Sequence, residues 1–476
     1  MIRAPFPCNA AVHRTCHAAI ALLLCAALPA HANTPVAQLP ALSIAAPALP
    51  FADYRKPGPL RYAVAVPAAA GLTQGLWESD AGGHAVWRLR VHAPEASSIS
   101  LTLRGFHMPA GGALYFSALD GSHRRGPYGA EHNGAGQLWT ALVPGSDALI
   151  EADVPAGMKD ELALQIAQVH YGFLPFWKAG ATDKSGSCNI DVVCPQGDAW
   201  RDEIRSVARY TIAGQYLCSG QLLNDTGGDF TPHFLTANHC LSSEADAEST
   251  VFYWNYQTST CGGTPDGNLD QNQSGATLEA SYAPSDFTLL KLDAAPSGSF
   301  NVYYAGWDAA NAAPSDGVVT IHHPGGDEKR ISMSSGPTDV ESYGGGGDDG
   351  THLRVQRWDE GTTEGGSSGA GLWNSAHHVV GQLHGGAASC DNTSGSDWFG
   401  RFAVSWTGGG SATDSLAPNL DAGKSSLTVM DGADPNGKST PLSSAAPSNA
   451  SAARYGGALG FTTLLPLWWM RRRRRS

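Results

Sequence analysis

The sequence predicts an all-β protein with more than one domain. Between residues 62 and 172, apolar side chains such as Trp87, Leu89 and Val91 alternate with polar ones, as they do in strands with one buried face. Short β-type runs separated by glycines continue from 185 to 422, and few long helical periods occur. A chain of 476 residues is long enough for two or three domains. We therefore expect a small β-sandwich followed by a second all-β domain.

The charge balance argues against a nucleic-acid partner. The chain carries 30 Lys and Arg residues against 43 Asp and Glu residues, which gives a formal net charge of −13. Proteins that bind nucleic acids normally present a basic surface to the phosphates. No nucleic-acid partner is therefore expected.

Residues 1–32 predict an export signal. Arg3 and Arg14 precede an apolar run from about residue 18 to 28, and Ala30-His31-Ala32 supplies a small-residue cleavage site. The apolar run is too short for a typical membrane span. The prediction is a protein that is exported through this signal, and the alternative is a buried N-terminal helix.

The cysteines predict disulfides. Three of the nine cysteines lie in the predicted signal, and the other six all lie between residues 188 and 390. An even set in an exported protein indicates three disulfides, and six cysteines allow fifteen connectivities. A metal site would be the alternative, but the chain has no Cys-x-x-Cys pair, so no metal is expected. The six are Cys188, Cys194, Cys218, Cys240, Cys261 and Cys390.

A serine, a histidine and an aspartate occur in contexts that suit acyl transfer. Ser368 lies in a glycine-rich run from 365 to 372, where glycines allow tight turns and aim backbone N–H groups at a substrate. His239 follows an apolar stretch, and Asp286 stands at the head of a strand-like apolar run. In this chain order the three residues can form a catalytic triad. The expected roles are nucleophile for Ser368, base for His239, orienting acid for Asp286, and oxyanion donors for the N–H groups of Gly366 and Ser368.

The same glycine-rich run also matches the Gly-x-Ser-x-Gly elbow of α/β-hydrolases, with Ser367 as the nucleophile. That fold requires an acid and then a histidine after the serine. The last histidine of the chain is His384, and no Asp or Glu lies between Ser367 and His384. The chain order therefore excludes this alternative and favours Ser368.

Several further runs resemble one family. Ser187–Pro195, Tyr253–Gln257, Gly381–Gly386 and Ser405–Gly410, together with the three stretches above, resemble trypsin-like serine proteases and more narrowly the bacterial lysyl endopeptidases. The resemblance covers about residues 185–422 and implies a trypsin-like double β-barrel over 185–424, a peptide substrate and no cofactor. It also implies the disulfides Cys188–Cys390, Cys194–Cys261 and Cys218–Cys240.

The resemblance also implies a preference for lysine. Trypsin has an aspartate six residues before its serine, where this chain has Thr362, whereas lysyl endopeptidases have one in a Ser-Asp-x-aromatic-Gly-Arg run. That position is Asp397, which we expect to bind the ammonium group of a substrate lysine. Glu364 is expected to narrow the pocket and disfavour arginine. The alternative is a protease that accepts both lysine and arginine.

Other positions carry further expectations from the resemblance. Leu383, His384 and Gly385 match the strand whose backbone pairs with the substrate, and His384 is expected to stack on an aromatic ring. Tyr343 stands where the family has a tryptophan for this stack. The His322-His323-Pro324 run could suggest a metal, but it matches the family and has no carboxylate at ligand spacing before it, so we expect a structural role.

Residues 33–184 are interpreted as a propeptide, because this segment lies between an export signal and the protease segment. Lys184 is the preferred self-processing site and Lys178 the second choice. Ser367 replaces the aspartate that pairs with the new N-terminus in trypsin, so latency must come from the propeptide. A permanent accessory domain is the alternative.

The C-terminal region predicts a linker and a sorting tail. Residues 425–455 are rich in Ser, Pro and Ala, and 456–476 contain a Gly-Gly pair, a short apolar run and an arginine cluster. We expect a monomeric enzyme that is secreted or displayed on the surface of a Gram-negative bacterium, with export and sorting machinery as partners. The alternative from another class is a catalytically silent surface-binding protein on a protease scaffold.

Overall fold

The computed structural model describes residues 34–50, 56–79, 82–134, 136–175, 185–347 and 349–437. The predicted signal at 1–32, the processing sites Lys178 and Lys184, and the sorting tail at 456–476 lie outside these residues. Within the described ranges, no helix is both long enough and apolar enough to cross a membrane.

The first domain is the predicted β-sandwich. One sheet has the strand order β1–β5–β11–β7–β8 with β4 beside β5, and the other has the order β10–β6–β12–β3 with β9 beside β6. Trp87, Leu89 and Val91 of β5 pack into the core between the sheets together with apolar residues of β6 and β12, as the alternating pattern predicts. The sandwich strands are β1 (Ala41–Ser43), β3 (Ala63–Gly71), β4 (Leu76–Ser79), β5 (His84–His92), β6 (Ser98–His107), β7 (Ala113–Ala118), β8 (Arg125–Tyr128), β9 (Gln137–Trp139), β10 (Val143–Pro144), β11 (Asp147–Pro155) and β12 (Ala163–Gly172). Strand β2 (Leu60–Arg61) lies in neither sandwich sheet.

The second domain has the predicted double β-barrel fold. The first barrel sheet runs β18–β17–β14–β15–β16–β20–β19. The second runs β13–β23–β22–β26–β27–β28–β25–β24, with β21 against β27 and β29. Strand β13 (Ile190–Asp191) comes first in the chain but belongs to the second sheet. The strands of the first barrel are β14 (Val207–Ile212), β15 (Tyr216–Leu223), β16 (His233–Ala237), β17 (Val251–Trp254), β18 (Asn272–Ser274), β19 (Ala276–Tyr282) and β20 (Phe287–Leu292). Those of the second are β21 (Gly306–Asp308), β22 (Val318–His322), β23 (Arg330–Ser334), β24 (Thr338–Glu341), β25 (His352–Val355), β26 (Gly371–Asn374), β27 (His378–Gly386), β28 (Asp397–Arg401) and β29 (Val429–Met430).

Helices are short and lie between the strands. The α-helices are α1 (Arg201–Ser206), α2 (Glu244–Glu248), α3 (Phe402–Thr407) and α4 (Ala417–Leu420). The 3-10 helices are Val36–Gln38, Leu72–Gln74, Ala130–His132, Ala156–Glu161, Pro195–Trp200, Ala283–Ser285, Gly298–Phe300, Pro324–Gly326 and Tyr343–Gly345. The two barrel sheets share one apolar core, in which Leu235 and Phe287 of the first pack with Trp373 of the second. This shared core holds the ends of strands from both barrels at one cleft.

The β-sandwich is joined to the first barrel through β2. Leu60 and Arg61 pair antiparallel with Leu217 and Tyr216 of β15, so β2 extends the barrel sheet. An apolar cluster at this contact contains residues of both domains, among them Leu142 and Tyr253. The Leu142 N–H also donates to the Tyr253 hydroxyl at 2.9 Å. The contact therefore combines strand pairing with buried apolar surface.

Three disulfides link the six cysteines. The bonds are Cys188–Cys390, Cys194–Cys261 and Cys218–Cys240, the same pairs that the resemblance implies. Cys218 belongs to β15, and Cys240 directly follows His239. This bond therefore ties the loop of the candidate base to the neighbouring strand.

The barrel domain extends beyond the predicted boundary at residue 424. Met430 of β29 pairs with Trp307 of β21, and Ala433 forms a β-bridge with Tyr304. The region after 424 is rich in small and polar residues, and two-residue strands are too short to give a detectable period. Part of the predicted 425–455 linker is thus a strand of the second barrel.

A buried lysine is expected to make the stability of the barrel domain depend on pH. Burial lowers the pKa of Lys329 from 10.5 to about 7, and its Nζ donates to the carbonyl of Ile204 at 2.7 Å. Between these two pH values the unfolded chain binds a proton that the folded chain does not, so the free energy of unfolding should rise with pH across this window. In a Ser368→Ala background, Lys329→Met should flatten this rise in urea unfolding at pH 7 to 10. The exposed Lys291→Met should leave it in place, and equal profiles for the two variants would contradict the prediction.

Candidate active site

Two neighbouring strands bring His239 and Asp286 together. Ala237, the last residue of β16, pairs with Phe287, the first residue of β20. His239 therefore lies just past one strand end and Asp286 just before the other. The Nδ1 atom of His239 lies 2.7 Å from Oδ2 of Asp286, and its backbone N–H donates to Oδ1 at 2.9 Å. The buried aspartate thus holds both the ring and the backbone of the histidine.

The loop that carries Ser368 needs glycine for its shape. Gly369 has φ +84°, and a Cβ added there would lie 2.9 Å from the backbone nitrogen of Ala237 and would overlap Thr236 and Ser219. The Ser368 carbonyl accepts a hydrogen bond from the Ser219 N–H at 2.9 Å. The second-barrel loop therefore packs directly against the strand that leads to His239.

The same loop leaves two N–H groups without an acceptor among the described residues. The carbonyl of Gly365 accepts a hydrogen bond from the Gly325 N–H at 2.7 Å, and the carbonyl of Ser367 accepts one from the Ala370 N–H at 3.0 Å. Because the C=O and N–H of a trans peptide point in opposite directions, these bonds turn the N–H groups of Gly366 and Ser368 the other way. Neither N–H donates to another described residue, so both are available to an oxyanion.

The candidate nucleophile and base are not bonded to each other in this structure. The Ser368 hydroxyl instead donates to the carbonyl of Gly58 in the N-terminal domain, at 3.3 Å. The Nε2 atom of His239 is buried and has no hydrogen-bond partner among the described residues. The N-terminal domain therefore occupies the space beside the triad.

Aromatic rings stack beside His239. The ring of His384 stacks on His239 with centroids 5.3 Å apart, and the ring of Tyr343 also stacks on His384, at 3.7 Å. The His384 Nδ1 atom lies 2.9 Å from Nε2 of His352 and 3.6 Å from Oδ2 of Asp286. Burial lowers the pKa of His384 to about 4, so the ring is neutral near pH 7. Tyr343 thus takes the position that the resemblance gives to a tryptophan.

Of the three predicted substrate-strand residues, Leu383 uses its backbone within the fold. Its N–H donates to Ala370 and its carbonyl accepts from the Gly369 N–H at 2.9 Å. A bulge in the pairing of β27 with β28 falls between Leu383 and Gly385. His384 lies in this bulge, and Gly385 faces Pro57 of the N-terminal domain, whose Cα would be 3.2 Å from an added Cβ.

Asp397, the predicted base of the lysine pocket, is enclosed by other side chains. Its side chain is fully buried at the start of β28. Oδ2 accepts hydrogen bonds from Nε1 of Trp358 at 2.7 Å and from the Thr363 hydroxyl at 2.6 Å. Oδ1 lies 2.6 Å from Nζ of Lys56, whose ammonium also contacts the Thr363 hydroxyl. A lysine side chain of the N-terminal domain therefore fills the pocket.

Glu364 is turned toward the segment that contains Cys188. Its carboxylate accepts hydrogen bonds from the Gly186 N–H at 3.0 Å and from the Asn189 amide at 3.2 Å. Burial raises its pKa, although the nearby Lys56 acts in the opposite direction. Glu364 thus lies close enough to influence the pocket electrostatically, while its direct contacts are to the chain just after residue 185.

Ser367 and the two neighbouring histidines have internal partners. The Ser367 hydroxyl lies 2.8 Å from Nδ1 of His322 and accepts from the Glu364 N–H at 3.2 Å, and Nδ1 of His323 lies 3.0 Å from the Asp327 carbonyl. Burial lowers the pKa of His322 to about 3. Among the described residues, the ligand-type side chains that converge within 4.8 Å are His239, Asp286 and His384. These are two residues of the candidate triad and the histidine that stacks on His239.

Sequence reasoning missed four residues of the site. Asp397 pairs with Lys56 and accepts hydrogen bonds from Trp358 and Thr363. The fourth residue, His352, contacts His384. Lys56 had one available signal, since it is a lysine followed by proline directly before the first alternating run. The others could be recognised only once distant strands are placed side by side.

Family models match both domains of the chain. Residues 182–400 match the model of the lysyl endopeptidase C-terminal domain, and residues 58–173 match that of the lysyl endopeptidase N-terminal domain. A lysyl endopeptidase of Pseudomonas aeruginosa is 29% identical over 377 residues, covering 73% of this chain and 80% of that protein. Secreted RxLR effector protein 73 of Plasmopara viticola is 31% identical over 186 residues, covering 38% of this chain and 43% of that protein.

Among solved structures, the protease Anisep of Arthrobacter nicotinovorans is 18% identical and covers 41% of this chain and 90% of its own, with a TM-score of 0.28. The serine endoprotease of Yersinia pestis is 18% identical and covers 44% of this chain and 62% of its own, with a TM-score of 0.30. The two family models together match more than half of the chain, one on each domain. The chain therefore belongs to the lysyl endopeptidase family, and it is a serine endopeptidase.

Proposed function

We propose that this protein cleaves peptide bonds on the carboxyl side of lysine. The observation that carries the proposal is the lysine already in the pocket: the Lys56 ammonium lies 2.6 Å from Asp397, and the two side chains are 3% and 0% exposed. A buried carboxylate is stable only with a partner, and here that partner is a lysine side chain. A substrate lysine would take its place once the N-terminal domain is removed.

The reaction is acyl transfer through a covalent intermediate. Ser368 Oγ attacks the carbonyl carbon of the substrate lysine, and His239 Nε2 takes the hydroxyl proton and passes it to the leaving amine. Asp286 keeps the Nδ1 proton of His239 in place, as its 2.7 Å contact supports. The N–H groups of Gly366 and Ser368 stabilise the negative oxygen. Water then attacks the acyl group by the same route and restores the serine.

The pocket favours an ammonium over a guanidinium. Arginine binds a carboxylate most strongly through two parallel hydrogen bonds, one to each oxygen. Asp397 Oδ2 already accepts bonds from Trp358 and Thr363, which leaves Oδ1 for the ligand. An ammonium is a compact charge that one carboxylate oxygen and one hydroxyl can satisfy. Glu364 adds negative charge near the pocket. This charge favours the protonated form of Lys56 and so raises its pKa, although burial lowers that pKa by more.

The specificity test compares matched lysyl and arginyl peptide amides with the processed enzyme. Wild type should cleave the lysyl amide at least about 100-fold faster. Asp397→Asn should lower kcat/KM for the lysyl amide by about 100-fold or more, because the substrate ammonium loses its buried partner. Asp339→Asn, a half-buried aspartate on β24 of the same barrel, is the matched control and should change little.

Other outcomes of that experiment support the alternatives. Equal cleavage of the two amides would indicate a protease that accepts both lysine and arginine. Cleavage of neither, together with no reaction of Ser368 with a fluorophosphonate after correct processing, would indicate a silent scaffold. Unchanged lysyl cleavage in Asp397→Asn would remove Asp397 from the pocket role.

We further propose that residues 33–184 are a propeptide and that the enzyme acts outside the cytoplasm. The N-terminal domain lies over the cleft and its Gly58 carbonyl is bonded to the Ser368 hydroxyl, which supports a blocking role. The three disulfides suit an oxidising compartment. N-terminal sequencing of the secreted enzyme tests this proposal: a start at residue 185 supports Lys184 as the processing site, and a start at 179 supports Lys178.

A further inference from the structure

We propose that Lys56, Pro57 and Gly58 form a built-in inhibitor that fills the lysine pocket while running through the cleft in the direction opposite to a substrate. The proposal rests on the proposed function, because it assumes that the pocket over Asp397 selects lysine. It adds which residue blocks the enzyme and why the enzyme does not cut at that residue.

Lys56 binds in the pocket as a substrate lysine side chain would. Its Nζ is held by Oδ1 of Asp397 and by the Thr363 hydroxyl, and 3% of its side chain is exposed. The ammonium therefore satisfies the one buried carboxylate that a substrate needs. A peptide lysine cannot enter while Lys56 remains there.

The segment around Lys56 also has a definite direction in the cleft. In a substrate, the carbonyl of the pocket lysine itself lies at the nucleophile, and residues before that lysine run along the substrate strand at Gly385. Here the residue after the lysine, Pro57, lies against Gly385. The carbonyl at Ser368 Oγ belongs to Gly58, two residues after the lysine. The segment thus has the polarity opposite to a substrate.

The Lys56–Gly58 segment also draws the Ser368 hydroxyl away from His239. The Ser368 hydroxyl donates its hydrogen to Gly58 and not to His239, so the proton that the base must remove is directed to another acceptor. His239 Nε2 has no hydrogen-bond partner among the described residues. The inhibitor therefore blocks the pocket and also separates the two residues that start the reaction.

Strand β2 anchors the Lys56–Gly58 segment at the barrel domain. Leu60, two residues after Gly58, begins β2, which pairs with β15 of the first barrel. Leu60 and Tyr62 are also part of the apolar cluster between the domains. A segment tethered this closely has a high effective concentration at the cleft, so moderate contacts suffice to block it. Release then requires detaching the N-terminal domain, and a cut at the junction before residue 185 would permit this.

The experiment measures how fast Ser368 of the unprocessed full chain reacts with a fluorophosphonate, before any processing occurs. Wild type, Lys56→Ala and Lys159→Ala are compared. Lys159 is the matched control because it is a lysine of the same domain whose cation lies over the Trp77 ring, 4.5 Å from its centroid. Lys56→Ala should react about 10- to 100-fold faster than wild type, because a larger fraction of molecules has an open cleft. Lys159→Ala should react as wild type does.

Two results separate this inference from the proposed function. The processed enzymes from all three chains have the same sequence over 185–424, so each should cleave lysyl amides equally if the precursor folded. Equal reaction rates for unprocessed wild type and Lys56→Ala, with active processed enzymes, would overturn the inhibitor and leave the lysyl endopeptidase standing. Processed enzymes that do not cleave lysyl amides would instead overturn the proposed function.

A second measurement does not depend on how the Lys56 variant folds. The full-length Ser368→Ala chain, which cannot cut itself, is treated with formaldehyde and a borohydride to methylate accessible lysines. Lys56 should remain unmodified while Lys159 reacts, and Lys56 methylation at the rate of Lys159 would contradict the proposal. Mass spectrometry of the N-terminal domain released from wild type should show an intact bond between Lys56 and Pro57, and a cut there would contradict the reversed direction.

Discussion

Ser368→Ala is expected to lower kcat/KM for a lysyl peptide amide by about five to six orders of magnitude. The variant removes the oxygen that forms the acyl-enzyme, and removing the nucleophile of a serine-protease triad typically costs about this much. Residual cleavage should come only from substrate binding and the oxyanion donors. The measurement is amide cleavage by the processed enzyme. For Ser368→Ala, which cannot release itself, a separate lysine-specific protease would have to process the chain.

Ser367→Ala is the matched control, because it removes the adjacent hydroxyl from the same loop. Ser367 contacts His322 and the Glu364 N–H, both within the fold. Its loss should reduce the free energy of unfolding by about 1–3 kcal/mol and leave fluorophosphonate labelling intact. Labelling that disappears in Ser367→Ala and persists in Ser368→Ala would show that Ser367, and not Ser368, is the nucleophile.

The sequence predicted those features that depend on local pattern or on distinctive runs. The β-sandwich follows from alternation in strands such as β5, and the double barrel follows from the family resemblance. The runs around His239, Asp286, Ser368 and Asp397 are distinctive enough to mark each residue separately as a candidate. The structure then supplies the geometry that relates them, for example the adjacent ends of β16 and β20.

Long-range partners could not be predicted because no local signal connects them. Lys56 and Asp397 are 341 positions apart, and the Lys56-Pro57 pair alone does not indicate which residue it contacts. Trp358 and Thr363 lie in the loop between β25 and Ser368. They contact Asp397 because β25 pairs with β28, the strand that begins at Asp397. Such contacts depend on how the sheets close, which composition and periodicity do not determine.

The close packing of the nucleophile loop against the first barrel leads to the second large expected effect, which is that of Gly369→Ala. The added Cβ would meet Thr236 Oγ1 and the Ser219 carbonyl well inside van der Waals contact, at a residue with φ +84°. The left-handed conformation alone costs an alanine about 1–2 kcal/mol, and the overlap forces the loop away from β16. Ser368 precedes Gly369 directly, so the nucleophile must move relative to His239.

A displacement of about 1 Å at a reacting group can lower the rate about 100-fold. We therefore expect Gly369→Ala to slow fluorophosphonate labelling of the processed enzyme at least about 100-fold and to lower its Tm. Gly228→Ala separates overlap from backbone strain, because Gly228 also has a positive φ, +67°, but nothing lies within 4 Å of its added Cβ. That control should lose about 1–2 kcal/mol of unfolding free energy and label at the wild-type rate. If Gly369→Ala labelled as fast as Gly228→Ala, contact between the loop and β16 would not be what positions Ser368, and the placement of the nucleophile would have to come from the second barrel alone.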